Sequence, residues 1–125
     1  MKTPIQSPNV PKPLGPYSQA VKADKFLFVS GQLPIDPKQG KVVAKDIVGQ
    51  TRQVMENIKA ILEAADFTLK DIMQTTVYLA SMALFDEFNR EYAKYFTADF
   101  PARATVGVEL KGGALLEVAV VAYKD

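Results

Sequence analysis

Leu115-Leu116-Glu117-Val118-Ala119-Val120-Val121-Ala122-Tyr123 is a strand with apolar groups on both faces. Successive side chains of a strand point to opposite sides, so this segment needs cover above and below, and only Glu117 interrupts it. Cover for one face lies upstream. Ile47, Val48, Thr51, Val54, Met55, Ile58, Ile61, Leu62 and Ala65 recur at steps of three and four, the stripe of an amphipathic helix over Asp46 to Ala65 with Asp46 as its N-cap. Phe85, Phe88, Tyr92, Tyr95 and Phe96 mark a second, aromatic-faced helix, whose start is left open because Ala83 caps poorly.

Ile72 to Leu79, rich in β-branched and aromatic residues, reads as a strand. Pro4, Pro8, Pro11, Pro13 and Pro16 make the first segment an extended lead. Gln19 to Ser30 reads as a β-hairpin around Lys22-Ala23-Asp24-Lys25, broken by Gly31, and Val42-Val43 as a small third strand. Ala104 to Val108 and Leu115 to Tyr123 flank Lys111-Gly112-Gly113 as a second hairpin. The order β-β-β-α-β-α-β-β predicts an α+β fold, a mixed sheet with two helices on one face, in a single domain over 1–125. The other face is expected to be covered by copies of the same chain, which makes a homo-oligomer the expected state.

Composition narrows the chemistry. The 125 residues include no His and no Cys, which removes imidazole triads, thiolate nucleophiles, disulfides and imidazole or thiolate metal sites. Acid–base work would fall to Asp, Glu, Tyr, Lys or a bound water. Fifteen Lys and Arg against 14 Asp and Glu give a net charge of +1, so neither nucleic acid nor an anionic membrane is an expected partner. No secretory signal opens the chain and no run of about eighteen apolar residues occurs, so the expected location is cytoplasmic. Neither GxxxxGK[ST] nor GxGxxG is present, so no nucleotide cofactor is expected.

Few residues are left to carry a function. Glu117 is a carboxylate inside an apolar strand, either a solvated, inert group or one whose charge burial disfavours. Arg103, after Phe100-Pro101-Ala102, is either an ordinary surface arginine or a planar fork for a carboxylate. Tyr17 and Ser18 after Gly15-Pro16, and Ser30-Gly31-Gln32 at a strand end, are turn residues or binding loops. Asn89 is solvent-facing or bonded back to its helix.

Taken together, Gly15-Pro16-Tyr17-Ser18-Gln19-Ala20-Val21, Val29-Ser30-Gly31-Gln32-Leu33-Pro34, Asn57-Ile58, Phe88-Asn89-x-x-Tyr92, Phe100-Pro101-Ala102-Arg103-x-Thr105-Val106 and Leu116-Glu117-Val118 resemble the reactive-intermediate deaminase A family, RidA, also called YjgF or UK114. The resemblance implies a chorismate-mutase-like homotrimer with clefts between subunits. It implies hydrolysis of 2-imino acids, such as 2-iminobutanoate and 2-iminopropanoate released by pyridoxal-phosphate dehydratases, to 2-oxo acids and ammonia, with no cofactor or metal. Arg103 would then grip the substrate carboxylate and Glu117 would orient water and move protons, while Tyr17, Ser30, Gly31, Asn89 and Thr105 would line the pocket. Two other roles go with the resemblance: a non-catalytic small-carboxylate binder, and a translation inhibitor or ribonuclease. Two departures stand out: the Leu110–Ala114 loop is one residue short and lacks a proline, and Ala119 replaces an acidic residue. If the last two strands form the hairpin, Glu117 faces Gly107 and Arg103 lies about 13 Å further along. The pair would then meet only across a subunit boundary.

Overall fold

The computed structural model describes residues 1–125. In chain order its elements are β1 (Lys2–Ile5), β2 (Ala20–Ala23), β3 (Phe26–Gln32), β4 (Ile35–Asp36), β5 (Lys41–Val42), α1 (Ile47–Ala64), β6 (Ile72–Leu79), α2 (Phe85–Ala93), β7 (Ala102–Gly107) and β8 (Leu116–Tyr123). Six strands form one sheet in the order β1-β2-β3-β8-β6-β7, and β4 pairs with β5 in a separate two-stranded ribbon.

The first helix forms where its apolar stripe predicts. The Asp46 carboxylate accepts the Gly49 N–H at 2.9 Å and caps the start. Val54, Met55, Ile58, Ile61 and Leu62 are completely buried on the inner face. At the far end the Phe67 N–H bonds the Leu62 carbonyl at 2.8 Å and the Asp66 N–H bonds the Glu63 carbonyl at 3.1 Å. This Schellman pattern puts Asp66 at φ 62°, a left-handed position that usually takes glycine.

Strand β8 lies at the centre, antiparallel to both β3 and β6. Its alternation sorts the two faces. Leu116, Val118, Val120 and Ala122 are buried toward the helices, while Glu117, Ala119, Val121 and Tyr123 are half-buried on the other side. Phe26 and Phe28 join that open face and are 42% and 48% exposed, leaving an apolar surface on the sheet side away from the helices.

The hairpin expected for the last two strands does not form. β7 pairs in parallel with β6, and β6 separates it from β8, so Glu117 sits opposite Tyr78 and not opposite Gly107. A β6-α2-β7 crossover replaces it, as two parallel strands require. Gly112 and Gly113 do take positive φ, but they serve a longer loop. Gln50 holds that loop onto α1, donating to the Gly113 carbonyl at 3.1 Å and accepting the Leu115 N–H at 2.7 Å.

Other elements depart from expectation more modestly. The lead contains an edge strand, β1, where Pro4 is tolerated because no strand lies beyond it. The small third strand is Lys41–Val42 and has a partner, Ile35–Asp36. Helix α2 ends at Ala93, with Tyr95 and Phe96 continuing as tighter turns. Its entry is set by Ser81, whose hydroxyl accepts the Ala83 N–H ahead of a short 3₁₀ turn. β7 begins two residues earlier than expected, at Ala102.

Candidate functional site

Arg103 and Thr105 are alternate residues of β7, and Cα partners of Thr75 and Val77 on β6. Thr75 and Val77 are wholly buried beneath the helices, so Arg103 and Thr105 stand on the helix side of the sheet. The Arg103 guanidinium carbon lies 5.7 Å from the Phe85 ring centre, 5.5 Å from Phe88 and 5.1 Å from Tyr92. It has no acidic partner, since the chain's three ion pairs are Lys25–Asp125, Arg52–Glu91 and Lys94–Glu91. Beside it opens a cleft of about 260 Å³ lined by Asn89, Tyr92, Ala93, Phe100, Pro101 and Arg103. The Asn89 Oδ1 and Thr105 Oγ1 atoms are buried without hydrogen-bond partners. A free, charged donor fork over an apolar floor is suited to a small carboxylate.

Glu117 stands on the opposite face. β3 carries a bulge between Val29 and Gln32, where it runs one residue longer than β8. Ser30 and Gly31 occupy the bulge, the Ser30 hydroxyl donating to the Ser18 carbonyl at 2.6 Å. Gly31 lies directly against the Glu117 carboxyl group: a Cβ built there would sit 2.9 Å from Glu117 Cδ and 3.1 Å from Cγ, and closer still to an oxygen. The carboxylate therefore fills the space that any other residue at 31 would need. Burial pushes its pKa above the ordinary glutamate value, and it belongs to none of the ion pairs. Tyr17, next to Ser18, is 52% exposed.

The candidates thus fall into two groups. Arg103, Asn89 and Thr105 gather on the helix side at the β7 edge, and Ser30, Gly31 and Glu117 gather on the open face, with Tyr17 on the loop that Ser30 holds. Two strand spacings and three residues separate Arg103 from Glu117, about 14 Å between Cα atoms, and the sheet lies between their side chains. One copy of the chain does not bring them together.

In the sequence, Phe85, Phe88 and Tyr92 marked an aromatic-faced helix, and Phe88 and Tyr92 a family motif, with no link to Arg103, and Thr75 drew no notice, though its hydroxyl pairs with the Tyr92 hydroxyl at 3.0 Å. The signal was available in part, because residues 85, 88 and 92 share one helix face. A larger cavity, about 550 Å³, is elsewhere, between the end of α1 and the Tyr95–Asp99 segment. On its rim Lys59 and Lys70 are balanced by Glu63 and Asp99, so it offers no net charge for an anion, and the smaller Arg103 cleft is the better carboxylate site. No group of three or more acidic residues comes together as a metal would need. No helix is long and apolar enough to cross a membrane.

A mixed sheet backed by two helices, with an unpaired arginine at one edge and a desolvated glutamate at its centre, is the chorismate-mutase-like α+β fold in its Rid form. The chain belongs to the Rid/YjgF family, whose model, described as Endoribonuclease L-PSP, matches residues 7–124. A RutC family protein from Pyrococcus horikoshii is 54% identical over 126 residues, spanning all of both chains. A Rid-family protein of unknown function from Yersinia pestis superposes with a TM-score of 0.95 at 43% identity, over 99% of this chain and 100% of that one. The crystal structure of E. coli TdcF with bound serine superposes with a TM-score of 0.93 at 33% identity, over 98% and 99% of the two chains.

Proposed function

We propose that the chain is a cytoplasmic 2-imino acid deaminase, acting without a cofactor on 2-iminobutanoate and 2-iminopropanoate in clefts between the subunits of a homotrimer. The observation that carries the reading is the division of the two charged groups between opposite faces of one sheet. Arg103 waits unpaired on the helix side, Glu117 is desolvated on the open side, and a head-to-tail ring places one beside the other. The apolar open face, with Phe26 and Phe28 half exposed, supplies the surface that copies of the chain would bury.

Arg103 of one subunit takes the substrate carboxylate in a two-pronged contact, which fixes C2 relative to a water. Glu117 of the next subunit takes a proton from that water as it attacks C2 and returns it to the imine nitrogen, which gives the carbinolamine. Glu117 then takes the hydroxyl proton and delivers it to the nitrogen as the C–N bond breaks, so that ammonia leaves and the 2-oxo acid remains. A glutamate whose pKa is raised by burial is a better proton carrier near neutral pH than an ordinary one. Gly31 adds a backbone donor, while Tyr17, Ser30, Asn89 and Thr105 shape the pocket. Family membership supports deaminase-type chemistry, and the serine bound to E. coli TdcF is a carboxylate of the right size.

A non-catalytic carboxylate binder would use the same Arg103 cleft, and the family description names an endoribonuclease. The net charge of +1 and the absence of histidine weigh against the second. A coupled assay separates all three. A threonine dehydratase generates 2-iminobutanoate, and added protein is expected to speed release of ammonia and 2-oxobutanoate. No acceleration, with 2-oxobutanoate still bound, would leave a binder; RNA cleavage without acceleration would leave the ribonuclease.

A further inference from the structure

No carboxylate holds Arg103 still on its edge strand. Arg103 is held by rings. Phe85, Phe88 and Tyr92 form one face of α2, and their ring centres lie 5.7, 5.5 and 5.1 Å from the guanidinium carbon. Phe88 is completely buried and Tyr92 is 4% exposed, so both are fixed in place, and Phe88 packs on Tyr92 at 5.3 Å between centres. Tyr92 is pinned again by its hydroxyl on the Thr75 hydroxyl at 3.0 Å, and Thr75 is the Cα partner of Arg103 across the β6–β7 pair. The chain of contacts closes on itself: Arg103 to the Tyr92 ring, Tyr92 to Thr75, and Thr75 back to Arg103 through the sheet.

We propose that Phe85, Phe88 and Tyr92 are positioning residues for Arg103, an aromatic floor that fixes the guanidinium by cation–π attraction in place of an ion pair. The inference rests on the carboxylate-binding role given to Arg103 above. A ring face attracts a cation without consuming its N–H donors. A neighbouring aspartate would hold the guanidinium equally well but would occupy its fork and cancel its charge, so an incoming anion would have to displace it. With the floor, the whole charge and all donors are left for the ligand. The same floor suits an arginine better than a lysine: rings attract either cation, but only the planar guanidinium stacks flat on them and keeps a donor fork for the ligand. An uncharged ester or amide analogue of the substrate leaves that charge unmatched and is rejected.

Phe85 is the variable element, since it is half-buried at the start of α2 and can be changed without opening the core. The chain has only three arginines, Arg52, Arg90 and Arg103, so the Nε–Hε region of a ¹⁵N NMR spectrum is simple, and Arg103 is assigned by the signal lost in Arg103→Lys. In the native protein this signal is expected upfield, shifted by the rings beneath it. In Phe85→Leu, and in Phe85→Met as a second ring-free variant, it moves toward its unshifted position. The Kd for 2-oxobutanoate and the KM in the coupled assay rise together about fivefold to tenfold while kcat stays within about twofold, and Phe85→Tyr restores all of them. An unshifted Arg103 signal in the native protein, or a Kd indifferent to the ring at position 85, overturns the inference. If the protein shows no deaminase activity yet its 2-oxobutanoate affinity still follows the ring, the aromatic floor stands and the deaminase reading falls.

Discussion

Replacing Gly31 by alanine adds a single methyl group and aims it at Glu117. The new Cβ would lie 2.9 Å from Glu117 Cδ and closer to one carboxylate oxygen, well inside van der Waals contact. Gly31 does not have a positive φ, so alanine brings no backbone strain, and the obstructing group is the free end of a flexible side chain. Thermal stability therefore changes little. The carboxylate, however, has to swing by about 1 Å or more, and a misplacement of that size costs on the order of a hundredfold in a step that depends on alignment. The coupled dehydratase assay is expected to show kcat down by about that factor, with 2-oxobutanoate binding by Arg103 reduced far less. A Gly31→Ala protein that is folded and turns over within about threefold of the native rate would refute the reasoning, because the site would then tolerate a displaced Glu117.

Arg103→Ala removes a charge-assisted contact in a partly desolvated cleft and should lower kcat/KM by about thirty- to a thousandfold, with Arg103→Lys recovering little and the melting temperature falling by only a few degrees as the ring contacts are lost. Loss of activity only through unfolding, seen by circular dichroism, would count against the assignment. Glu117 has its pKa raised by burial, so its charge is a burden on the folded state that is absent below the unfolded value, grows as pH rises from that value to the raised one, and is constant above it. Glu117→Gln should accordingly melt higher than the native protein at pH 7, lose that advantage below about pH 4.5, and be nearly inactive. Asp66 sits at φ 62° in the Schellman turn after α1, and Asp66→Gly should stabilise the fold by about 1 kcal/mol in urea denaturation. Light scattering is expected to give three times the 13.7 kDa chain mass, and a stable monomer at micromolar concentration would remove the inter-subunit site.

What the sequence revealed of this fold was what lies within one element. The period of Ile47 to Ala65 gave α1, and the alternation of Leu116 to Tyr123 gave a strand with two dry faces. Pairing was harder. Lys111-Gly112-Gly113 has the chemistry of a tight turn, but the α2 crossover places β7 beside β6, and strand order is decided by such long-range packing, which no local turn records. The same limit applied to the site. Glu117 was visible as a charge in an apolar strand and Arg103 only through the family motif, whereas the nesting of Glu117 on Gly31 crosses between strands 86 positions apart in sequence, and the ring floor needs α2 laid over β7. Glu91 shows the difference as well: a carboxylate on an exposed-looking helix proves 4% exposed, bonded to Arg52 and Lys94 at 3.0 Å each. Its burial works to raise the pKa, but those two cations outweigh it and hold the pKa below the usual glutamate value.

Because Arg103 and Glu117 face opposite ways from one sheet, the proposed site predicts that two inactive proteins can make an active one. In the proposed ring each cleft would draw its arginine from one subunit and its glutamate from the neighbour. When Arg103→Ala and Glu117→Gln chains are unfolded together and reassembled, about one cleft in four inherits both native groups, by random choice at each of its two positions. Activity should then return to roughly a quarter of the native level from parents that have almost none. In a cell the two defects would complement each other as alleles of one gene, while either alone, mixed with native chains, would silence only the clefts to which its own chains owe the missing group.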